Sequence, residues 1–321
     1  MRIFFLMAMA VLVINFTACE KKLAEDTVEN KPNSTNTPAN AAGVRLAYAD
    51  TLFYLKPVPP DYTVLPVTVP AVTGGYFKAN PKGLDIDSIT GRINISKSET
   101  GLRYKVYYVD NSGNAIDSVR LVISGIDYED AIYELNATPT TYDTAFPIYN
   151  ANPALALPCS GDDDDDDDDD TGCIFDETDL DDDGNNDIAG VVQSKLLIDE
   201  KKGTIDLEAS FHAGVFGSTT PVNGEQKDFT FYYRLNDASN RALNKISVRL
   251  YYYKTKADIP QWLLDEINNR KILASEISTG INNKNLVSGP PVLAGQNGSF
   301  SSLYTIESKP KRPPLIVIVE N

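Results

Sequence analysis

Residues 102–123, LRYKVYYVDNSGNAIDSVRLVI, decide the fold class. Leu102 to Val109 is rich in tyrosine and valine, side chains that suit a pleated, half-buried surface. Val119, Leu121 and Ile123 recur at period two and therefore share one face of a second strand. Asp110-Asn111-Ser112-Gly113-Asn114, between the two, consists of turn formers. Just upstream, Leu84-Asp85-Ile86-Asp87 and Arg92-Ile93-Asn94-Ile95 flank Thr90-Gly91, a hairpin-like corner. The first half of the chain thus reads as strand and turn.

In residues 83–125, Leu84, Ile86, Asp87, Thr90, Gly91, Ile93, Gly101, Tyr104, Val106, Asp110 and Gly113 follow one another in an order that resembles the bacterial cadherin-like or immunoglobulin-like modules of exported proteins. The resemblance implies a β-sandwich and covers about 45 residues whose shared positions are turn and core chemistry, which specify a fold rather than a function. The repeat-junction motifs that hold calcium in cadherins are not found.

The second half is also β-rich. Phe229, Phe231, Tyr233 and Leu235 alternate on one strand, and Ile246, Val248, Leu250 and Tyr252 on another. Lys195–Ile198 and Thr204–Leu207 flank a hairpin signal at residues 199–203. Leu315–Val319, behind Pro313-Pro314, reads as a short buried strand. One helix interrupts the strands, with Asp258 as N-cap, Pro260 in the first turn, Gln261 completing a capping box, and Ile259, Leu263 and Ile267 on one face. The expectation is all-β: a β-sandwich over 44–128, an irregular connector over 129–158, an acidic insert over 159–190, and a second mostly-β domain with one short helix over 191–321. The last region carries no recognised family pattern.

Charge is concentrated between the halves. Cys159 to Gly190 holds sixteen acidic residues, nine of them consecutive (Asp162–Asp170), and no lysine or arginine. The chain's net charge is −16 from 45 acids and 29 bases, so everything outside this segment is balanced. Such a field repels nucleic acid. Asp179, Asp181 and Asp183 alternate ahead of Gly184, with Asn185 and Asp187 beyond. This D-x-D-x-D-G-x-x-D run is similar to the EF-hand-like loops of dockerins and thrombospondin type 3 repeats. The likeness implies Ca²⁺ held by the side chains of Asp179, Asp181, Asp183 and Asp187 and the backbone carbonyl of Asn185, with affinity on the order of 0.1–1 mM. It departs from an EF-hand at position twelve, where Gly190 replaces the bidentate glutamate, and no flanking helix is evident. A solvated acidic turn is the alternative. The nine aspartates read as a charged spacer or as a cation-collecting loop.

The N-terminus carries Arg2, an apolar core from Ile3 to Ile14, and small residues up to Cys19, the layout of an export signal (residues 1–18). Thr17-Ala18-Cys19 resembles a bacterial lipobox, although Phe16 stands where that family has leucine. The resemblance implies a lipid on Cys19 and anchorage in the outer membrane, facing the cell surface or the periplasm. An ordinary signal peptide is the other reading. Residues 19–43 have almost no large apolar side chains and read as a disordered tether. Cys159 and Cys173 remain as an even pair in an oxidising compartment, which points to a disulfide or to two free thiols.

Sites of chemistry are few. His212, the single histidine, has no motif around it and reads as a structural or surface residue. Trp262 reads as a packing anchor rather than a sugar platform. Arg249, Tyr251 and Tyr253 alternate on one strand and form either an exposed ligand face for glycan or protein, or part of a half-buried sheet. Asp-Ser/Thr-hydrophobic triplets at residues 26, 50, 87, 117 and 143 are similar to acceptor sites of a bacterial O-glycosylation system. No acid pair, nucleophile elbow or phosphate loop stands out. The sequence therefore leads to a non-enzymatic surface lipoprotein that binds calcium and acts in adhesion, structure or ligand binding. A carbohydrate-binding component of nutrient uptake comes second, and a hydrolase third.

Overall fold

The computed structural model describes residues 44–56, 61–71, 74–135, 143–159, 172–181, 183–279 and 313–320. The export signal, Cys19, the tether, the triplet at Asp26 and the nine aspartates lie outside the described residues.

The first half comprises β1 (Ala47–Tyr48), β2 (Leu52–Phe53), β3 (Thr63–Val64), β4 (Pro66–Thr68), β5 (Tyr76–Asn80), β6 (Ile93–Asn94), β7 (Arg103–Val109) and β8 (Ala115–Ile123). The deciding stretch is β7 and β8, paired antiparallel across the Asp110 turn. There the Asp110 carboxylate accepts the N–H groups of Ser112 and Asn114, local bonding that makes aspartate a turn former. A four-stranded sheet runs β2-β8-β7-β5, with the ribbons β1–β4 and β3–β6 completing a small sandwich. Tyr104, Val106 and Tyr108 of β7 meet Leu121 and Ile123 of β8 in its core, together with Phe77, Ile93 and Ile95. The expected hairpin at Thr90-Gly91 is short: an Ile86–Ile93 bridge, backbone bonds from Asp87 N–H to Arg92 O and from Asn94 N–H to Asp85 O, and a turn in which the Asp87 carboxylate accepts Ile89 and Thr90 N–H. β6 also pairs with β3.

Residues 129–158, expected as irregular, contain strands. After β9 (Ile126–Tyr128) come β10 (Ala131–Glu134), β11 (Thr144–Ala145) and β12 (Pro147–Tyr149). The prolines tolerate this because β12, which opens on Pro147, is a short strand of a two-stranded ribbon with β9. The chain continues through β13 (Ile174–Glu177), β14 (Ile205–Asp206), α1 (Leu207–Ala213), β15 (Gln226–Arg234), β16 (Asn244–Tyr253), α2 (Gln261–Thr279) and β17 (Leu315–Val319). A five-stranded sheet runs β10-β17-β16-β15-β13. Its interior strand β17 is buried along its whole length and parallel to both neighbours, which explains its unbroken apolar run.

Among the described residues there are two α-helices, not one short one. The expected hairpin across 199–203 is present, with an Ile198–Ile205 bridge and Asp206 N–H on Leu197 O, and α1 follows it directly from Leu207: Asp206 caps Ala209 N–H and Gly214 closes the other end at φ +83°. α2 is nineteen residues long. Asp258 does not cap it; its carboxylate accepts the N–H and hydroxyl of Thr255 at the preceding 3-10 turn. Pro260 disfavours helical backbone at Ile259, which is extended at ψ 122°, so α2 begins only at Gln261. Ile259, Leu263 and Ile267 do share one face, packed on Tyr251, Tyr253, Leu315, Val317 and Val319.

One face of the five-stranded sheet, with Phe229, Phe231, Tyr233, Val248, Leu250, Tyr252, Ile316 and Ile318, covers the main core. The two halves meet in buried polar contacts. The Tyr233 hydroxyl lies 3.1 Å from Thr100 Oγ1 and accepts Ile126 N–H, and Ser124 and Tyr149 donate to Asp237. Gly101 makes the close approach possible, since a Cβ there would sit 2.1 Å from the Ile126 carbonyl oxygen.

Candidate functional site

The acidic loop 177–190 is built on the edge strand β13. A bulge between Phe175 and Glu177 puts Asp176 at φ +56° and turns its carboxylate onto the far end of the loop. There it accepts Val191 N–H (2.8 Å) and Val192 N–H (3.1 Å), the opening of a 3-10 turn. Both ends of the loop are thereby tied together. Glu177, beside it, is 9% exposed and accepts Arg234 Nε at 3.0 Å, while Arg234 is 7% exposed. The other Glu177 oxygen accepts Thr178 and Asp179 N–H. Arg234 Nη2 then donates to the carbonyls of Asp179 and Leu180. A buried ion pair thus holds the loop's first turn from below.

Above this base the loop closes on itself. Asp187 N–H donates to Thr178 O, and Leu180 N–H donates to Asp187 Oδ2 at 2.8 Å. Asp179 accepts Asp183 and Gly184 N–H, with Gly184 at φ +87° making the sharp turn. Carboxylate oxygens of Asp179, Asp181 and Asp187 lie within 4.8 Å of one another. Of the five expected ligands, the fold brings these three together. Asp183 turns aside, accepting both the backbone and side-chain N–H of Asn185.

Crowding of like charge has a consequence. Asp183 first, then Asp187, then burial hold the Asp181 carboxyl above the usual carboxylate range. A cation among these oxygens would relieve that repulsion. The converging donors are all carboxylate oxygen, the chemistry of a hard cation such as Ca²⁺ rather than of zinc. A glutamate at Gly190 would place a Cβ 2.4 Å from Asp176 Oδ2 and so push that carboxylate off Val191 and Val192 N–H. With three carboxylates where Ca²⁺ takes six to eight oxygens, water would complete the shell and affinity would be weak.

Cys159 and Cys173 form a disulfide that closes the nine-aspartate segment at its base. Arg241 Nη1 donates to Gly172 O beside it and Arg234 Nη1 donates to Arg241 O, so the bridge and the acidic loop share one hydrogen-bonded support.

The second expected site changes. Tyr251 and Tyr253 are 5% and 6% exposed, covered by α2, and so do not form an exposed aromatic row. An apolar helix stripe needs an apolar floor, and these rings supply it. Arg249 remains half-buried in a bidentate pair with Asp228, at 2.7 Å for each bond. Trp262, expected as a packing anchor, is 58% exposed and meets Tyr251 only edge-on, with centroids 6.2 Å apart. The sequence held a signal for this: Trp262 lies about 100° round the helix from Leu263. His212 is a surface residue 3.8 Å from Glu208.

No family model matches the chain, and no curated protein matches it. Among solved structures it is similar to Drosophila N-cadherin EC1-4, at 9% identity over 64% of this chain and 49% of that one, with a TM-score of 0.20. It is also similar to a SusE-like surface-located polysaccharide-binding protein from the Bacteroides thetaiotaomicron heparin utilisation locus, at 13% identity over 67% of this chain and 35% of that one, with the same TM-score. The chain thus spans about half the length of the first and a third of the second. No described helix is long and apolar enough to cross a membrane.

Proposed function

We propose that this is an exported, non-enzymatic β-sheet protein, anchored through Cys19 in the outer membrane, whose loop 177–190 binds Ca²⁺ and is stabilised by it. The observation that supports the reading is the convergence of Asp179, Asp181 and Asp187 within 4.8 Å on a loop whose two ends are already fixed. Asp179 and Asp187 are held by backbone N–H groups, so little ordering entropy remains to oppose binding. Asp181 would supply the third carboxylate, and the ion would offset the mutual repulsion of the three. Such a protein works in a calcium-containing exterior as a structural, adhesive or ligand-presenting surface component.

Calorimetric titration of CaCl₂ into the chain from residue 20 onward tests this. A saturable site of order 0.1–1 mM is expected, lost in Asp181→Ala/Asp187→Ala and accompanied by a higher melting temperature in calcium. Non-saturating heat unchanged by the substitutions would make the loop a solvated turn.

A further inference from the structure

The five-stranded sheet has one face on the main core, and α2 covers only part of the other. The covered part is Tyr251 and Tyr253 of β16 with the matching positions of β17. On the same face, β15 and β16 continue away from the helix through Gln226, Asp228 and Thr230, and through Arg249 and Ser247, with Asp228 opposite Arg249 and Thr230 opposite Ser247. Gln226, Asp228 and Thr230 are exposed, and Arg249 and Ser247 are half-exposed. The strip spans four residue steps, about 13 Å. Its side chains are short or held: Thr230 and Ser247 hydroxyls lie 2.6 Å apart, and Arg249 is fixed by both Asp228 oxygens. At its α2 end stands Trp262, edge-on to Tyr251, which is itself in register with Gln226.

We propose that this strip and Trp262 form a binding site for a neutral oligosaccharide, one pyranose ring lying on the indole and the next along the strip with its hydroxyls on the Asp228–Arg249 pair. An indole that folding leaves more than half exposed, yet steadies at one edge, offers an amphipathic ring face at little further entropic cost. A sugar ring has the matching surface, with C–H groups on its face and hydroxyls at its rim. Vicinal hydroxyls both donate and accept, so one pair can satisfy a carboxylate and a guanidinium together. Charge selects the neutral class. Asp228 and Arg249 cancel one another, so the strip offers no net positive charge for an acidic polymer to pair with. Asp228 foremost, with Tyr251 adding and burial opposing, keeps the Arg249 charge secure. The site stands apart from the calcium loop and does not depend on it.

The chain has one tryptophan, so intrinsic fluorescence reports this site alone. The probes are laminarin, xylan, galactomannan and dextran as neutral polymers, and heparin and polygalacturonate as acidic ones, each titrated in calcium and in EDTA. The expected result is a saturable change in emission with at least one neutral polymer, matched by retardation in a native gel containing it. Trp262→Ala should lose at least about tenfold in affinity on the gel, Trp262→Phe should stay within about threefold of the parent, and Arg249→Gln should fall about tenfold. Urea denaturation of each variant verifies the fold, and the parent fluorescence titration stands even if a variant fails to fold. No emission change with any neutral polymer overturns the proposal, as does retardation that survives Trp262→Ala or binding confined to the acidic polymers.

Discussion

Replacing Arg234 by alanine removes one partner of a buried ion pair and three backbone contacts. The Glu177 carboxylate, 9% exposed, keeps its two backbone N–H donors but loses its counter-charge. The carbonyls of Asp179, Leu180 and Arg241 each lose an Arg234 N–H. Leaving one member of such a pair unpartnered costs roughly 3–5 kcal/mol. The retained donors on Glu177 argue for the low end, about 3 kcal/mol, and calcium affinity should fall as well because the loop's first turn loses its support. Removing both charges should cost less, since a shape-matched apolar pair is often neutral. Urea denaturation of Arg234→Ala and of Arg234→Met/Glu177→Leu, with calorimetry on both, measures this. A loss under about 1 kcal/mol for Arg234→Ala, or a double variant no more stable than the single, would refute the argument that this pair carries the loop.

Two further consequences follow from particular contacts. Gly101→Ala should cost more than a typical point substitution, above about 3 kcal/mol, because φ is +77° and the new Cβ would meet the Ile126 carbonyl at the joint between the halves; a urea midpoint equal to the parent's would show that the joint yields. Stability should hold from neutral pH down to about 5 and fall below about 4. Asp87, bonded by Thr90, and Asp110, bonded by Asn114, both sit below the usual carboxylate range. At Asp117 burial pushes upward but Arg45 and the Leu46 and Ser118 N–H groups outweigh it, so that carboxyl is also lowered. A carboxyl with a depressed folded-state pKa stabilises above its unfolded value and loses that contribution as pH falls through the folded one. Asp117→Asn should therefore reduce the acid sensitivity seen in denaturation at pH 3–5, and an unchanged slope would count against it.

Local chemistry was legible in the chain itself. The pairing of β7 with β8, the Asp110 turn, the alternation of β15 and β16, the buried run of β17 and the cysteine pair follow from periodicity, turn residues and parity, which act over a few neighbours. So does the curl of the acidic loop, because alternate aspartates and Gly184 lie within nine residues. What lay beyond reach was whatever depends on distant partners. Of the strands in 129–158, β10 exists because it finds β17, more than 180 positions away, and β11 because it finds β14. Asp183 accepts the Asn185 amides and does not join the three converging oxygens, although its charge still acts on Asp181. Tyr251 and Tyr253 are spaced as an exposed row would be, and only the position of α2 buries them. Trp262, spaced as part of a helix, is left in the open by the same packing. Sequence alone therefore determined the β class, the pairing of the two cysteines and the curl of the acidic loop, since each is written in short-range pattern. Tertiary structure decided which face of the sheet is covered and which carboxylates meet, because burial and convergence belong to the packing of separate elements.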